Sequence, residues 1–243
     1  MMKIALIFIG TGSYRKFFDG YYKAYTKYFL PDVEKDFFVF TDDIHDETFN
    51  VDNTHITEIE HEPWPFVTLN RFQYMLKVED KLKEYDWILY TDSDLWPVQE
   101  IEENLLSGED YIGVQHPGYL FNQGPFEDNK NSTAYSFGPD NDLKHYRQGC
   151  FWAAPTEKFL ELIKTCYNNV ETDKKNSIIA KWHDESHLNK FFSERQDVTT
   201  IHAGFACPQN HALTDLITAN FPVMMIHLEK DMTEYPRFEG GTF

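Results

Sequence analysis

The segment Trp87-Ile88-Leu89-Tyr90-Thr91-Asp92-Ser93-Asp94 runs a compact apolar stretch straight into an acidic triplet. Residues 87–90 read as a buried strand, and the segments on either side decide the class of fold. Upstream, Lys3–Ile9 is another short apolar run, stopped by the flexible turn Gly10-Thr11-Gly12. Residues 15–29 set Phe18, Tyr21, Tyr22, Tyr25 and Phe29 at helical spacing, and Pro31 closes the pattern. Strand patterns follow at 37–40 and 54–59. Helical periodicity returns over 67–82 through Phe72, Met75, Leu76 and Leu82. Downstream, 116–146 is rich in Gly, Pro, Asn and Asp and reads as long functional loops on a rigid scaffold. Helices are expected at 155–167 and after Asp184, where Leu188, Phe191 and Phe192 share a face, and a last strand at 223–227. Strands alternating with helices predict an α/β fold with a largely parallel central sheet flanked by helices. One domain over 1–243 accommodates these elements, with 229–243 as a mobile tail that carries no core pattern.

At 243 residues, with 16% aromatic and 26% charged side chains, the sequence is neither a disordered tail nor a fibre. The net charge of -18 repels nucleic acid. It repels phosphate-bearing ligands too, unless a metal ion bridges carboxylates to phosphates. Cys150, Cys166 and Cys207 show no CxxC pairing, which argues against a disulfide framework and a structural zinc site. Met1-Met2-Lys3 precedes too short an apolar run for a signal peptide, and no run approaches the roughly 20 residues of a membrane span. A soluble, cytoplasmic protein is expected.

In an extended segment residues i and i+2 point the same way, so Asp92 and Asp94 can present two carboxylates to one point beyond the strand end. Hard oxygen ligands suit Mg²⁺ or Mn²⁺, and the carboxyl end of a strand is where α/β sheets bind ligands. In a chain this acidic, a lone Asp-x-Asp is otherwise a solvated turn with a helix cap. The apolar strand before it and Leu95-Trp96-Pro97 after it favour a site. A rival chemistry is the phosphotransferase type, with the first Asp as nucleophile. There the strand usually opens the domain, and a small β-branched residue stands where this chain has Trp96. A second cluster is Trp182-His183-Asp184-Glu185-Ser186-His187-Leu188-Asn189-Lys190. Asp184 is a plausible N-cap, and Glu185 falls in the first turn, where the helix dipole favours its anion.

Together the two clusters resemble glycosyltransferase family 6, which includes the ABO blood-group transferases and the α-1,3-galactosyltransferase and has a GT-A fold. Phe38-Val39-Phe40-Thr41-Asp42 and His116-Pro117-Gly118-Tyr119 are similar to further family segments, and Ala134-Tyr135 falls in a related loop. The resemblance covers nearly the whole chain and suits a microbial or viral catalytic domain without anchor or stem. It implies a metal-dependent retaining transfer of a hexose from a UDP-sugar donor to a carbohydrate acceptor, with α linkage. By resemblance, Ile9, Thr11, Tyr14 and Asp42 grip the nucleotide, and Arg71 stands near the donor sugar. Asp92 and Asp94, with Ser93 between them, bind Mn²⁺ or Mg²⁺, Asp92 also lying near the ribose. Gln148, Gly149 and Cys150 stand where the family discriminates donor sugars, and Asp184 holds the donor. His116, Trp182 and Glu185 line the acceptor, with Glu185 at the reaction centre. Lys230 and Arg237 resemble basic residues of a tail that closes over the diphosphate.

The resemblance also carries departures. Many bacterial relatives replace the acidic triplet with Asn-x-Asn and need no metal, so the two aspartates here predict metal dependence. Cys150 is larger than glycine, which tilts the donor toward an unsubstituted hexose such as galactose. His227 is expected to be structural, although another GT-A family uses a histidine there as a metal ligand. Lys230 is expected to find its partner only when UDP is bound. Trp64, Phe121, Tyr135 and Trp152 suit core packing before sugar stacking. A carbohydrate-binding protein without catalysis is the remaining alternative, and it would not need intact Asp92, Asp94 and Glu185.

Overall fold

The computed structural model describes residues 2–234. In chain order its elements begin with β1 (Lys3–Ile9), α1 (Phe18–Tyr28), β2 (Glu34–Thr41), β3 (Thr54–Glu58), α2 (Phe66–Leu69), α3 (Arg71–Leu76), α4 (Glu79–Leu82) and β4 (Trp87–Thr91). They continue with β5 (Leu95–Pro97), β6 (Tyr111–Gln115), β7 (Arg147–Pro155), α5 (Thr156–Lys175), α6 (His183–Ser193), β8 (Val198–Ile201), β9 (Cys207–Pro208), α7 (Thr214–Asn220) and β10 (Met225–His227). A seven-stranded sheet runs β3-β2-β1-β4-β7-β6-β8, and a small second sheet runs β5-β10-β9. In the main sheet β1 pairs in parallel with both β2 and β4, while β7 is antiparallel to β4 and β6.

The central strands β1, β2 and β4 are buried on both faces, which is why they read as near-continuous apolar runs, while the edge strands β3 and β8 are partly exposed. Leu6 and Phe8 point to the face covered by α1, where Phe18, Tyr21 and Tyr25 pack. Ala5 and Ile7 point to the other face, against Phe72 and Met75 of α3, Phe159 and Ile163 of α5, and Leu188 of α6. The α/β expectation holds.

Local differences have local causes. The helical stretch at 15–29 begins as a tight 3-10 turn, Gly12–Phe17, before α1 proper. The pattern at 67–82 is three short helices, with Asn70 and Val78 as non-helical joints. The expected strand at 223–227 shrinks to β10, which leaves the main sheet and pairs antiparallel with β5. Among the described residues no helix is long and apolar enough to cross a membrane.

Candidate active site

The order of the main sheet reverses between β1 and β4, and a crevice opens beyond the carboxyl ends of these two strands. A cavity of about 450 Å³ fills it, walled by Ile9, Thr11 and Tyr14 after β1 and by Tyr90, Asp92 and Asp94 after β4. Gly12 turns the chain here with φ +53, and a Cβ on it would stand 2.9 Å from the His61 ring. Asp42 lies beneath, its carboxylate accepting from Gly12 N–H at 3.0 Å. His61, Glu62 and Pro63 complete the wall. They sit between sequence patterns and carried no signal of their own.

The acidic triplet is a turn, not the extended segment that periodicity suggested. Leu95 N–H donates to Asp92 C=O at 3.0 Å, which folds the two carboxylates toward each other. Tyr90 donates its hydroxyl to Asp92 Oδ1 at 2.8 Å. The strand pairing of β10 with β5 sets His227 opposite Leu95, and its Nε2 lies 3.6 Å from Asp92 Oδ2. One ligand atom each from Asp92, Asp94 and His227 lies within 4.8 Å of the others. This geometry makes His227 a candidate third ligand, where sequence had favoured a structural role. Burial pushes the Asp92 carboxyl up, but His227 and Arg71 outweigh burial and leave it well below its ordinary value. Burial likewise opposes the His227 cation, and Asp92 and Asp94 overcome it and raise the imidazole. Two carboxylates and a ring nitrogen converging within this distance fit a divalent cation.

Lys230 also reaches this cluster. Its ammonium pairs with Asp94 and donates to the Tyr14 hydroxyl at 3.3 Å. The flanking sequence offered nothing to pack Lys230 down before UDP binds, and the buried Asp94 does so from across the fold. Arg237 lies outside the described residues.

A second cavity of about 180 Å³ adjoins the first and shares Trp64, Thr68, Arg71 and Asp92 with it. Gln148, Gly149, Trp182, Asp184 and Glu185 line its far side. Arg71 is buried between the two and ties them together. Its guanidinium donates to Gly149 C=O at 2.9 Å, pairs with Asp184 at 3.1 Å and lies 3.8 Å from Asp92. This pairing explains why Asp184 is not the N-cap. Trp182 holds the cap position without a side-chain bond, and the Asp184 carboxylate turns inward to neutralise a buried arginine. Burial still raises the Asp184 carboxyl to about 6 against the pull of Arg71.

Glu185 is clamped at both oxygens. Tyr146 donates its hydroxyl to Oε1 at 2.7 Å, and Gly149 N–H donates to Oε2 at 2.8 Å. Burial nevertheless raises its carboxyl to about 7, so the helix start does not keep it strongly acidic as expected. Gln148 Oε1 is buried with no hydrogen-bond partner. Cys150 also lines the second cavity, and its 1% exposed side chain packs at the same time on the apolar core. His116 lines neither cavity. Its ring packs on Tyr119 and Tyr146, and burial lowers its pKa to about 4.

The arrangement is a crevice whose wall carries two converging carboxylates backed by an imidazole, with the clamped Glu185 in an adjoining pocket. The model of glycosyltransferase family 6 matches residues 1–207. The chain belongs to glycosyltransferase family 6. It is 36% identical over 194 residues to the O-antigen biosynthesis glycosyltransferase WbnI of Escherichia coli, covering 79% of this chain and 82% of that one. It is 27% identical over 207 residues to the globoside alpha-1,3-N-acetylgalactosaminyltransferase 1 of Gallus gallus, covering 79% of this chain and 57% of that protein. Against the histo-blood group ABO system transferase 2 of Rattus norvegicus the identity is 27% over 131 residues, 53% of this chain and 39% of that one. The chain thus spans most of the bacterial relative's length but little more than half, or less, of these vertebrate relatives. As a family 6 glycosyltransferase with this sheet order, it agrees with the GT-A architecture that the resemblance implied.

Proposed function

We propose that this family 6 enzyme moves a hexose of the galactose type from a UDP-sugar to a carbohydrate hydroxyl, with retention of the α anomer and with Mn²⁺ as cofactor. The observation that carries the reading is the convergence of Asp92, Asp94 and His227 on the wall of one cavity, with Arg71 shared between that cavity and the one that Glu185 lines. A donor set of two carboxylates and an imidazole favours Mn²⁺ over Mg²⁺, which prefers oxygen alone. Bound there, the ion would neutralise charge on the departing diphosphate.

The chain's own residues do the rest. Ile9, Thr11 and Tyr14 form the nucleotide wall, and Lys230 stands ready to shift from Asp94 to a phosphate oxygen. Arg71 fixes Asp184 beside the donor sugar, and the unpartnered Gln148 Oε1 suits a sugar hydroxyl donor. The bond from the anomeric carbon to the diphosphate breaks with its electron pair leaving on UDP. Glu185, oriented by Tyr146 and Gly149, faces the positive charge that develops, as nucleophile or as stabiliser. The acceptor hydroxyl oxygen bonds to that carbon and gives its proton to the departing diphosphate oxygen, or, where Glu185 has bonded first, displaces its carboxylate and loses the proton to solvent. The O-antigen role in the E. coli relative's name makes an oligosaccharide the first acceptor to try.

The test is UDP release from UDP-galactose, UDP-glucose and their N-acetyl forms, with Mn²⁺ and with excess EDTA. Metal-dependent release, greatest with UDP-galactose, is expected. Undiminished release in EDTA would remove the metal from the reading. Hydrolysis of a simple aryl phosphate with no UDP release would instead favour the phosphotransferase alternative.

A further inference from the structure

The loop before β7 holds the segment that carries Glu185 from two sides, and no catalytic role has been given to it so far. Glu127 is 2% exposed. Its Oε1 accepts from Asn129 N–H at 2.8 Å, and its Oε2 accepts from Lys181 N–H. Lys181 immediately precedes Trp182, His183, Asp184 and Glu185. Within that run His183 has φ 53, the left-handed region that a non-glycine residue keeps only where its surroundings hold it. Next to Glu127, Phe126 is 2% exposed and sets its ring edge-on against Tyr146 at 5.0 Å. Tyr146 is the residue whose hydroxyl orients Glu185 Oε1.

The loop is itself bolted to α5. Asp173, buried near the end of that helix, accepts from Ser132 Oγ at 2.5 Å and from Thr133 N–H at 2.7 Å. Two adjacent residues on a fixed loop therefore act on Glu185, one through the backbone leading into α6 and one through the Tyr146 ring. We infer that Glu127 and Phe126 are positioning residues for the Glu185 carboxylate.

This rests on Glu185 acting at the reaction centre, so the experiment separates the two claims. Glu127→Gln keeps the shape but replaces one acceptor with an NH₂ that cannot receive an amide proton. We expect kcat to fall about 10²-fold, the scale on which small misplacement at a reaction centre is felt. Donor KM and the calorimetric Kd for UDP should stay within about twofold, because the nucleotide cavity lies on the other side of Arg71. Phe126→Leu, which keeps an apolar side chain, should give the same kcat-only loss by the other arm. It decides the matter if Glu127→Gln does not fold. Glu185→Gln is measured alongside. If it abolishes transfer while both loop variants keep wild-type kcat, the positioning claim is overturned and the site reading stands. Should the loop variants lose UDP affinity in step with kcat, they merely support the fold, and the claim is again overturned. A fully active Glu185→Gln overturns the site reading itself.

Discussion

Glu185 is the residue at which function and stability pull in opposite directions. Its carboxyl sits at about 7 when folded against an ordinary 4.5. Below pH 4.5 it is protonated in both folded and unfolded chains and costs nothing. As pH rises toward 7, the unfolded chain releases the proton while the folded one retains it, so stability falls and is lowest above 7. Glu185→Gln should therefore raise the melting temperature of the metal-free protein more at pH 8 than at pH 5. Equal shifts at both pH values would mean that burial does not perturb this carboxyl. His227 offers a second residue-scale test. If its imidazole is a ligand, His227→Ala should weaken Mn²⁺ binding at least tenfold, about what loss of even an outer partner costs. Titration followed by Mn²⁺ paramagnetic resonance would read this directly. Unchanged affinity would return His227 to the packing role that sequence had suggested. Asp92 and Asp94 were legible as a pair because an Asp-x-Asp after a buried strand can converge on one point, although the turn that brings them together was not. Neither the raised Glu185 nor the inward-turned Asp184 was legible, because burial in the folded site raises the first and pairing with the distant Arg71 turns the second.

At the scale of elements, one irregularity in β7 builds the far wall of the site. Against β6 the register steps from Gly113↔Trp152 to Val114↔Gln148, so 149–151 bulge away from that neighbour. The same residues stay with β4, where Thr91 pairs with Phe151 and Asp92 N–H donates to Cys150 C=O at 2.8 Å. Freed from the ladder on one side, Gly149 turns its N–H to Glu185 and its C=O to Arg71. A Cβ there would stand 3.3 Å from Asp184 Oδ2 and 3.4 Å from Glu185 Cβ. Gly149→Ala should thus cost about 1–3 kcal/mol, as overpacking does, and reduce transfer with it. Urea unfolding and kcat on the same sample check both halves. A variant of native stability and activity would show that the Gly149 site has slack the contacts do not reveal. Sequence marked 148–150 only through resemblance, since a bulge depends on what both neighbouring strands demand.

For the whole molecule, the charge of -18 sets the terms on which a diphosphate can bind. Lys230 brings one positive charge to the Asp92, Asp94 and His227 cluster, and a divalent cation held there would supply the rest of the countercharge a diphosphate needs. Mn²⁺ and UDP should therefore tighten each other's binding, and by linkage the factor must be the same in both directions. Calorimetry of UDP with and without Mn²⁺, and of Mn²⁺ with and without UDP, should give a factor within the usual span of about 5–150. A UDP affinity indifferent to Mn²⁺ would separate the carboxylate cluster from nucleotide binding.

What the sequence by itself determined was the class of fold and the strands that matter most. Lys3–Ile9 is a strand over its expected length, and Trp87–Thr91 extends the expected 87–90 by one residue, because burial on both faces leaves an unbroken apolar run. Tertiary structure decided what those strands hold. His227 joins Asp92 from the far end of the chain through the pairing of β10 with β5. Lys230 is drawn to Asp94, and Arg71 binds Gly149, Asp184 and Asp92 across three separate segments. Periodicity reports only which face of an element is apolar. Which charges meet, and what burial does to their protons, is fixed when distant segments pack together.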